Sequence, residues 1–144
     1  MPQFRTLSAS VAALALAAGA AAAQEAHRHA VEGGEVVIHP IQHASMVLET
    51  PAGVIYVDPV EGADRYADLP APDAILLTHE HGDHFDMDTL NGLAEAPMIV
   101  NQAVFDQLPE EMQARATVMA NGDSGDILGA EIEAIPAYNT TEDR

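Results

Sequence analysis

The chain has 144 residues, which suits a single domain, and it carries 23 Asp and Glu against five basic residues, all of them arginine. We expect so acidic a protein to repel nucleic acids and anionic membrane surfaces, and to keep most of its carboxylates on a solvated surface. It has no cysteine, which excludes disulfides, a cysteine-based zinc site and a lipid anchor on cysteine.

The first 23 residues are predicted to be a secretory signal peptide. Arg5 gives a short basic start, residues 11–18 are apolar, and an alanine-rich run ends at Ala23. Cleavage is predicted after Ala23 or, alternatively, after Ala26. The apolar stretch is shorter than the about 20 residues of a membrane-spanning helix, so we expect no stable membrane anchor. The protein is therefore predicted to be periplasmic or secreted.

Residues 24–34 are polar and end in two glycines, which predicts a flexible leader. His27 and His29 on this leader are expected to be solvated. From Glu35 onward, β-branched and apolar residues predict three strands. These strands cover 35–41, 45–49 and 54–58, with a hairpin turn at 51–53.

The rest of the chain alternates loops, strands and short helices. Residues 61–73 are acidic and proline-bearing, which predicts a loop, with a short helix over 62–69 as an alternative. Asp86 is predicted to cap a helix that continues through Leu93 and Ala94, and Asn101 to cap a helix over 101–108. Further strands are predicted at 73–78, 97–100, 116–120, 125–128 and 130–135, a second helical turn at 109–114, and a turn at 121–123. This alternation predicts an α/β sheet with helices on its outer face.

A run of metal-binding residue types follows the buried strand at 73–78. Residues 78–84 read Thr-His-Glu-His-Gly-Asp-His, which places His79, His81, Asp83 and His84 within six residues. Imidazole nitrogens and carboxylate oxygens are the ligands that zinc and similar ions take from proteins. Side chains two residues apart in an extended loop point to one side, so His79 and His81 can reach one ion. A surface loop that is merely rich in histidine is the alternative.

The order H-x-H-x-D-H resembles the signature of the metallo-β-lactamase superfamily. Residues 55–59, which end in Asp-Pro, resemble the strand that precedes this signature. Residues 42–49, with their His-Ala-Ser, and residues 135–139 resemble the lactonase-like and phospholipase-D-like branches. The resemblance implies that residues 35–144 are the N-terminal part of the domain, the first half of an αββα sandwich with a mixed sheet and outer helices.

The resemblance also implies roles for the loop residues. His79 and His81 would be two of three histidines of a first metal site, whereas Asp83 and His84 would reach the other way, toward a second metal. Asp83 would also orient or deprotonate the attacking water. The implied cofactor is one or two zinc ions, with manganese and iron as alternatives. Glu80 is expected to hydrogen-bond the loop, and Gly82 to let the backbone turn.

Two residues outside the loop are further candidates. Asp58 follows a predicted strand and should lie behind the metal loop, where its carboxylate could fix the orientation of a histidine. The alternative for Asp58 is a turn-forming Asp-Pro. His43 is predicted to lie in an otherwise apolar strand, where a histidine is more often a satisfied core residue than a ligand.

The family pattern needs more ligands than this chain contains. A further histidine for each metal and a bridging aspartate are expected downstream, yet no histidine follows His84. We therefore expect the chain to be a fragment of a longer hydrolase that is inactive by itself.

The implied function is metal-dependent hydrolysis of a small-molecule lactone, ester, amide or phosphodiester by a metal-activated water. One alternative is a non-catalytic exported metal-binding protein, with His27 and His29 among its ligands. A true β-lactamase and a degenerate domain that pairs with another subunit are the others. The substrate, the metal number and the oligomeric state stay open.

Overall fold

One mixed sheet of seven strands organises the protein in the computed structural model, which describes residues 26–137. The strands lie side by side in chain order: β1 (His27–Val31), β2 (Gly34–Gln42), β3 (Ser45–Thr50), β4 (Gly53–Val57), β5 (Ala74–Leu77), β6 (Met98–Val100) and β7 (Ala116–Val118). The first four strands pair antiparallel, and β4 to β7 pair parallel. A separate hairpin contains β8 (Ser124–Ile127) and β9 (Ala130–Glu133). The predicted α/β class is confirmed.

Short helices connect the parallel strands. They are a 3-10 helix (Ala63–Tyr66), α1 (Met87–Gly92), α2 (Gln102–Phe105) and α3 (Glu110–Gln113). Both predicted caps are confirmed, because the Asp86 carboxylate accepts from the Asp88 N–H at 3.0 Å and the Asn101 Oδ1 accepts from the Val104 N–H at 2.8 Å. The helices are shorter than predicted, as expected where tertiary packing outweighs local propensity.

The main core lies between the sheet and these helices. Val47, Tyr56, Ile75 and Met98 are successive cross-strand partners from β3 to β6, and each is at most 1% exposed. Residues paired across strands share one face of a sheet, so these four side chains form the surface of the sheet against which the helices pack. Leu90 of α1 and Val104 of α2 close the core from above.

The opposite face of the sheet is covered in part by the β8–β9 hairpin. Ile127 of β8 is buried against Ile55 and Ala74. Other apolar side chains of this face are half-buried, namely those of Leu48, Val57, Leu76 and Ile99. Burial on both faces explains why β5 has an almost continuous apolar sequence.

Residues 27–31 form strand β1, which corrects the prediction of a flexible leader over 24–34. Gly33 and Gly34 have φ angles of 89° and 156°, and this left-handed backbone allows the tight turn into β2. Arg28 Nη1 lies 2.7 Å from Glu35 Oε2 across the hairpin. The polar composition was misleading because β1 is an edge strand whose five residues are all exposed. The sheet therefore starts ahead of Glu35.

Some sequence predictions lie outside the described residues, namely the signal peptide over 1–23 and the last two residues of the 135–139 segment. Within residues 26–137, no helix combines the length and the apolar character that a membrane crossing needs.

The contribution of the Asp86 cap to the stability of the fold should depend on pH. Partial burial alone would raise the pKa of Asp86, but hydrogen bonds from the Thr89 hydroxyl and the Asp88 N–H outweigh it and lower the pKa below the ordinary value. The stabilisation by Asp86 is therefore present above the ordinary aspartate pKa and is lost as the pH falls through the lowered value.

We expect Asp86→Ala to lower the free energy of unfolding by about 1 kcal/mol near neutral pH, and by much less in strong acid. Urea unfolding at both pH values checks this, with the exposed Asp68→Ala as control. An equal loss at both pH values would contradict a role of the ionised carboxylate.

Candidate metal-binding site

The carboxyl ends of β4, β5 and β6 meet at one edge of the sheet, and the candidate residues lie there. Asp58 directly follows β4, residues 78–84 follow β5, and Asn101 follows β6. In open α/β sheets, ligands bind outside the carboxyl ends of parallel strands. The parallel part of the sheet therefore brings together residues from three separate regions of the sequence.

Asp58 is a buried carboxylate whose oxygens are all engaged. The residue is 1% exposed and has a φ of 44°. Its Oδ1 accepts from the Thr78 N–H at 2.7 Å, and its Oδ2 accepts from the Thr78 hydroxyl at 2.7 Å. The same Oδ2 lies 2.8 Å from Nδ1 of His84, and the Ser45 hydroxyl donates to the Asp58 carbonyl. A buried charge needs such partners, so Asp58 fixes the start and the end of the histidine loop together.

The contact with Asp58 also selects the tautomer of His84. An ionised carboxylate only accepts hydrogen bonds, so in the neutral imidazole the hydrogen resides on Nδ1. The lone pair is then on Nε2, which lies 3.7 Å from Oδ2 of Asp83. A neutral ring held by a carboxylate through one nitrogen, with its other nitrogen free, is the form in which histidine binds metals.

Thr78 is a site residue that sequence reasoning missed. Its hydroxyl donates to Asp58, which leaves its oxygen lone pairs facing Nδ1 of His79 at 3.1 Å and Nδ1 of His84 at 3.4 Å. An Nδ1–H donor on His79 leaves Nε2 of that ring free as well. The available signal was position, since Thr78 stands between the strand and the first histidine.

Asn101 holds the loop from the other side. Besides capping α2 through Oδ1, it donates from Nδ2 to the Thr78 carbonyl at 3.2 Å. Glu80 is exposed, and a hydrogen bond from its own backbone N–H, with a further one from Asn101, lowers its pKa. The hydrogen-bonding role expected for Glu80 in the loop stays a prediction.

The three imidazole rings pack against one another. The centroid of the His79 ring lies 3.9 Å from that of His84 and 4.9 Å from that of His81. The backbone turns tightly here, because the N–H groups of His84 and Phe85 both donate to the His81 carbonyl at 2.8 Å. The rings of His81 and His84 thus both lie against that of His79. The expected division of the loop ligands between two metals stays a prediction. Asp58 draws His84 back toward the sheet and against His79.

Gly82 lies within the turn of the loop, as predicted, although its backbone is not left-handed. Gly82 does not have a positive φ, and a Cβ atom added at this position would contact no other atom within 4 Å. The turn is closed instead by the bonds to the His81 carbonyl.

Burial lowers the pKa of His79, and the neighbouring rings of His84 and His81 lower it further. A lowered pKa keeps the imidazole neutral to lower pH. Only neutral imidazole binds a metal, so this environment would let His79 accept one at a lower pH than an ordinary histidine.

The chemistry of the donor set fits a divalent metal of the zinc type, since it offers three imidazoles and the exposed carboxylate of Asp83. The geometry is incomplete. Within the described residues, no three His, Cys, Asp or Glu side chains form a group that could hold a metal ion. The loop thus presents free nitrogens without closing a ligand set.

His43 does not lie in a strand, so its predicted place in the core is wrong. It occupies the turn between β2 and β3, is exposed and has a φ of 50°. This turn is at the same end of the sheet as the histidine loop, and Ser45 next to it contacts the Asp58 carbonyl. No hydrogen bond joins His43 to the loop histidines in the described chain.

A family model described as a beta-lactamase superfamily domain matches residues 37–144. The chain belongs to the β-lactamase superfamily. The resemblance carried by the H-x-H-x-D-H signature is thereby confirmed.

A solved structure from Parabacteroides distasonis ATCC 8503, described as a "Putative metal-dependent hydrolase", is similar to this member of the β-lactamase superfamily. The two are 32% identical with a TM-score of 0.70, over 83% of this chain and 54% of that one. The chain thus spans about half the length of that structure. A search of curated proteins gives no match.

Loss of the buried Asp58 carboxylate should weaken metal binding. In Asp58→Asn, one carboxylate oxygen is replaced by an NH₂ group, which donates hydrogen bonds. That group would face Thr78 and His84, which themselves donate to Asp58, so the tautomer of His84 would no longer be fixed. We expect zinc affinity to fall by about 10- to 100-fold, as is usual for such supporting residues. Isothermal titration with Zn²⁺ measures this.

Asp73→Asn is a suitable control. Asp73 accepts a hydrogen bond from the Val54 N–H at 2.8 Å, at the end of β4 that lies away from Asp58. An unchanged zinc affinity in Asp58→Asn would contradict the orienting role of Asp58.

The Thr78 hydroxyl is tested by a pair of variants. We expect Thr78→Val to leave Nδ1 of His79 without its partner, and so to mix the tautomers of that ring and weaken zinc binding by about tenfold. Thr78→Ser keeps the hydroxyl and should restore both. Nitrogen NMR of the histidine rings reports the tautomers directly. Equal zinc affinity of the two variants would reject the hydrogen-bonding role of the Thr78 hydroxyl.

Proposed function

We propose that the protein is a metal-dependent hydrolase, with zinc as its metal, acting on a small-molecule lactone, ester, amide or phosphodiester. The observation that carries this proposal is the hydrogen-bond network of Asp58 and Thr78 with His79 and His84. That network leaves the Nε2 atoms of two histidines free in a loop that also offers His81 and Asp83. Membership of the β-lactamase superfamily and the description of the solved relative support it.

We propose that His79, His81, Asp83 and His84 hold the metal. The metal, when bound, supplies a Lewis acid that makes a water nucleophilic near neutral pH and stabilises negative charge on the substrate oxygen. Asp58 and Thr78 hold two of the imidazoles in a fixed orientation through hydrogen bonds to their Nδ1 atoms. Asp83 is exposed and close to His84 Nε2, so its carboxylate is available to orient the nucleophile and take up its proton.

The proposed ligand set needs residues beyond these four. The chain spans about half of the solved relative, and we propose that the remaining ligands of the active protein come from sequence equivalent to the other half. We also propose that the protein acts outside the cytoplasm, on the basis of the leader pattern over residues 1–23.

The test uses the longer protein that includes the sequence equivalent to the other half of the solved relative. It measures metal content and hydrolysis of one representative of each substrate class, before and after treatment with a chelator. Removal of the metal should abolish turnover, and Zn²⁺ should restore it. His79→Ala and Asp83→Asn should each lower kcat/KM by about 100-fold or more. The exposed Glu95→Gln serves as control and should leave kcat/KM unchanged.

Metal binding without turnover in any class would contradict the hydrolase and favour an exported metal-binding protein. Turnover that survives in both His79→Ala and Asp83→Asn would place the reaction elsewhere.

A further inference from the structure

A second pair of histidines lies on the edge strand β1. His27 and His29 are two residues apart, and their cross-strand partners on β2 are Ile38 and Val36. Side chains at alternate positions of a strand point to the same face of the sheet, so both imidazoles project from one face. Arg28 between them points to the other face, where it pairs with Glu35.

Both rings are available for a ligand. His27 and His29 are exposed, and neither ring takes part in a side-chain hydrogen bond or ion pair within residues 26–137. Their strand is held by a regular hairpin of five paired positions, so the spacing of the two side chains is fixed by the backbone. A fixed spacing lowers the entropic cost of bringing two ligands to one ion.

The pair is separate from the loop at residues 78–84. β1 and β5 are separated by three strands in the sheet order, which places them about 19 Å apart at the usual strand spacing. No ion could bind both sets of histidines. The function proposed above can therefore fail without affecting an inference on β1, and the reverse also holds.

We propose that His27 and His29 form a surface site for a late first-row divalent cation, with Cu²⁺ preferred over Ni²⁺ and Zn²⁺. Imidazole suits these three ions, and the affinity of a nitrogen site for them peaks at copper. The formal net charge of −18 attracts cations to the protein in general. Two protein ligands leave the other coordination positions to water, so the bound ion is exchangeable.

The experiment titrates the full chain with CuCl₂ at neutral pH and follows the copper by electron paramagnetic resonance and isothermal titration. His27→Ala/His29→Ala should bind one Cu²⁺ fewer per chain than the unchanged protein. Copper bound at the loop is common to both samples and cancels in the difference. Circular dichroism checks the fold, which should persist because all five residues of β1 are exposed.

A register variant separates chelation from binding to isolated imidazoles. His29→Ala/Ala30→His keeps the number of histidines but moves one ring to the opposite face of the strand. We expect it to lose the same Cu²⁺ equivalent as the double alanine variant. Copper binding equal to that of the unchanged protein, in either variant, would overturn the proposal.

Discussion

The candidate site depends on one buried carboxylate. Asp58 follows the last antiparallel-paired strand of the sheet and accepts hydrogen bonds from Thr78 through both of its oxygens, while one of them also contacts His84. Burial of that charge is costly unless each oxygen is matched by a donor. The donors come from the loop that contains the histidines. The requirement to satisfy Asp58 therefore determines the path of this loop and the orientation of His84.

Parallel pairing makes this contact possible. Because β4 and β5 run in the same direction, the residues that follow them emerge at the same edge, although 20 residues separate Asp58 from Thr78. Asn101, which follows β6, adds the third anchor at that edge. The core row of Val47, Tyr56, Ile75 and Met98 holds these strands in register. An error in that register would move Asp58 away from its donors.

Local patterns in the sequence were sufficient for much of the fold. The alternation of apolar residues predicted β2 to β9 to within a few residues, and Asp86 and Asn101 predicted their helix starts because capping is a local interaction. Tertiary contacts decided the rest. β1 was missed because the polar sequence of an edge strand resembles that of a loop. His43 was misplaced because it lies in the short turn between β2 and β3, although apolar strand residues flank it on both sides. For the site, spacing identified the histidines and Asp58, but the role of the Thr78 hydroxyl and the packing of His84 on His79 depend on distances that no spacing reveals.

The separation of Asp58 from His84 along the chain has a consequence for folding. Their contact closes a segment of 26 residues and requires the crossover between β4 and β5 to be in place. Long-range pairing of parallel strands is slow, because the entropy of closing the loop must be overcome before the contacts form. The antiparallel hairpins of β1 to β4 have no such requirement and can form early. We therefore expect the histidine loop to acquire its native arrangement late in folding, after the antiparallel hairpins have formed.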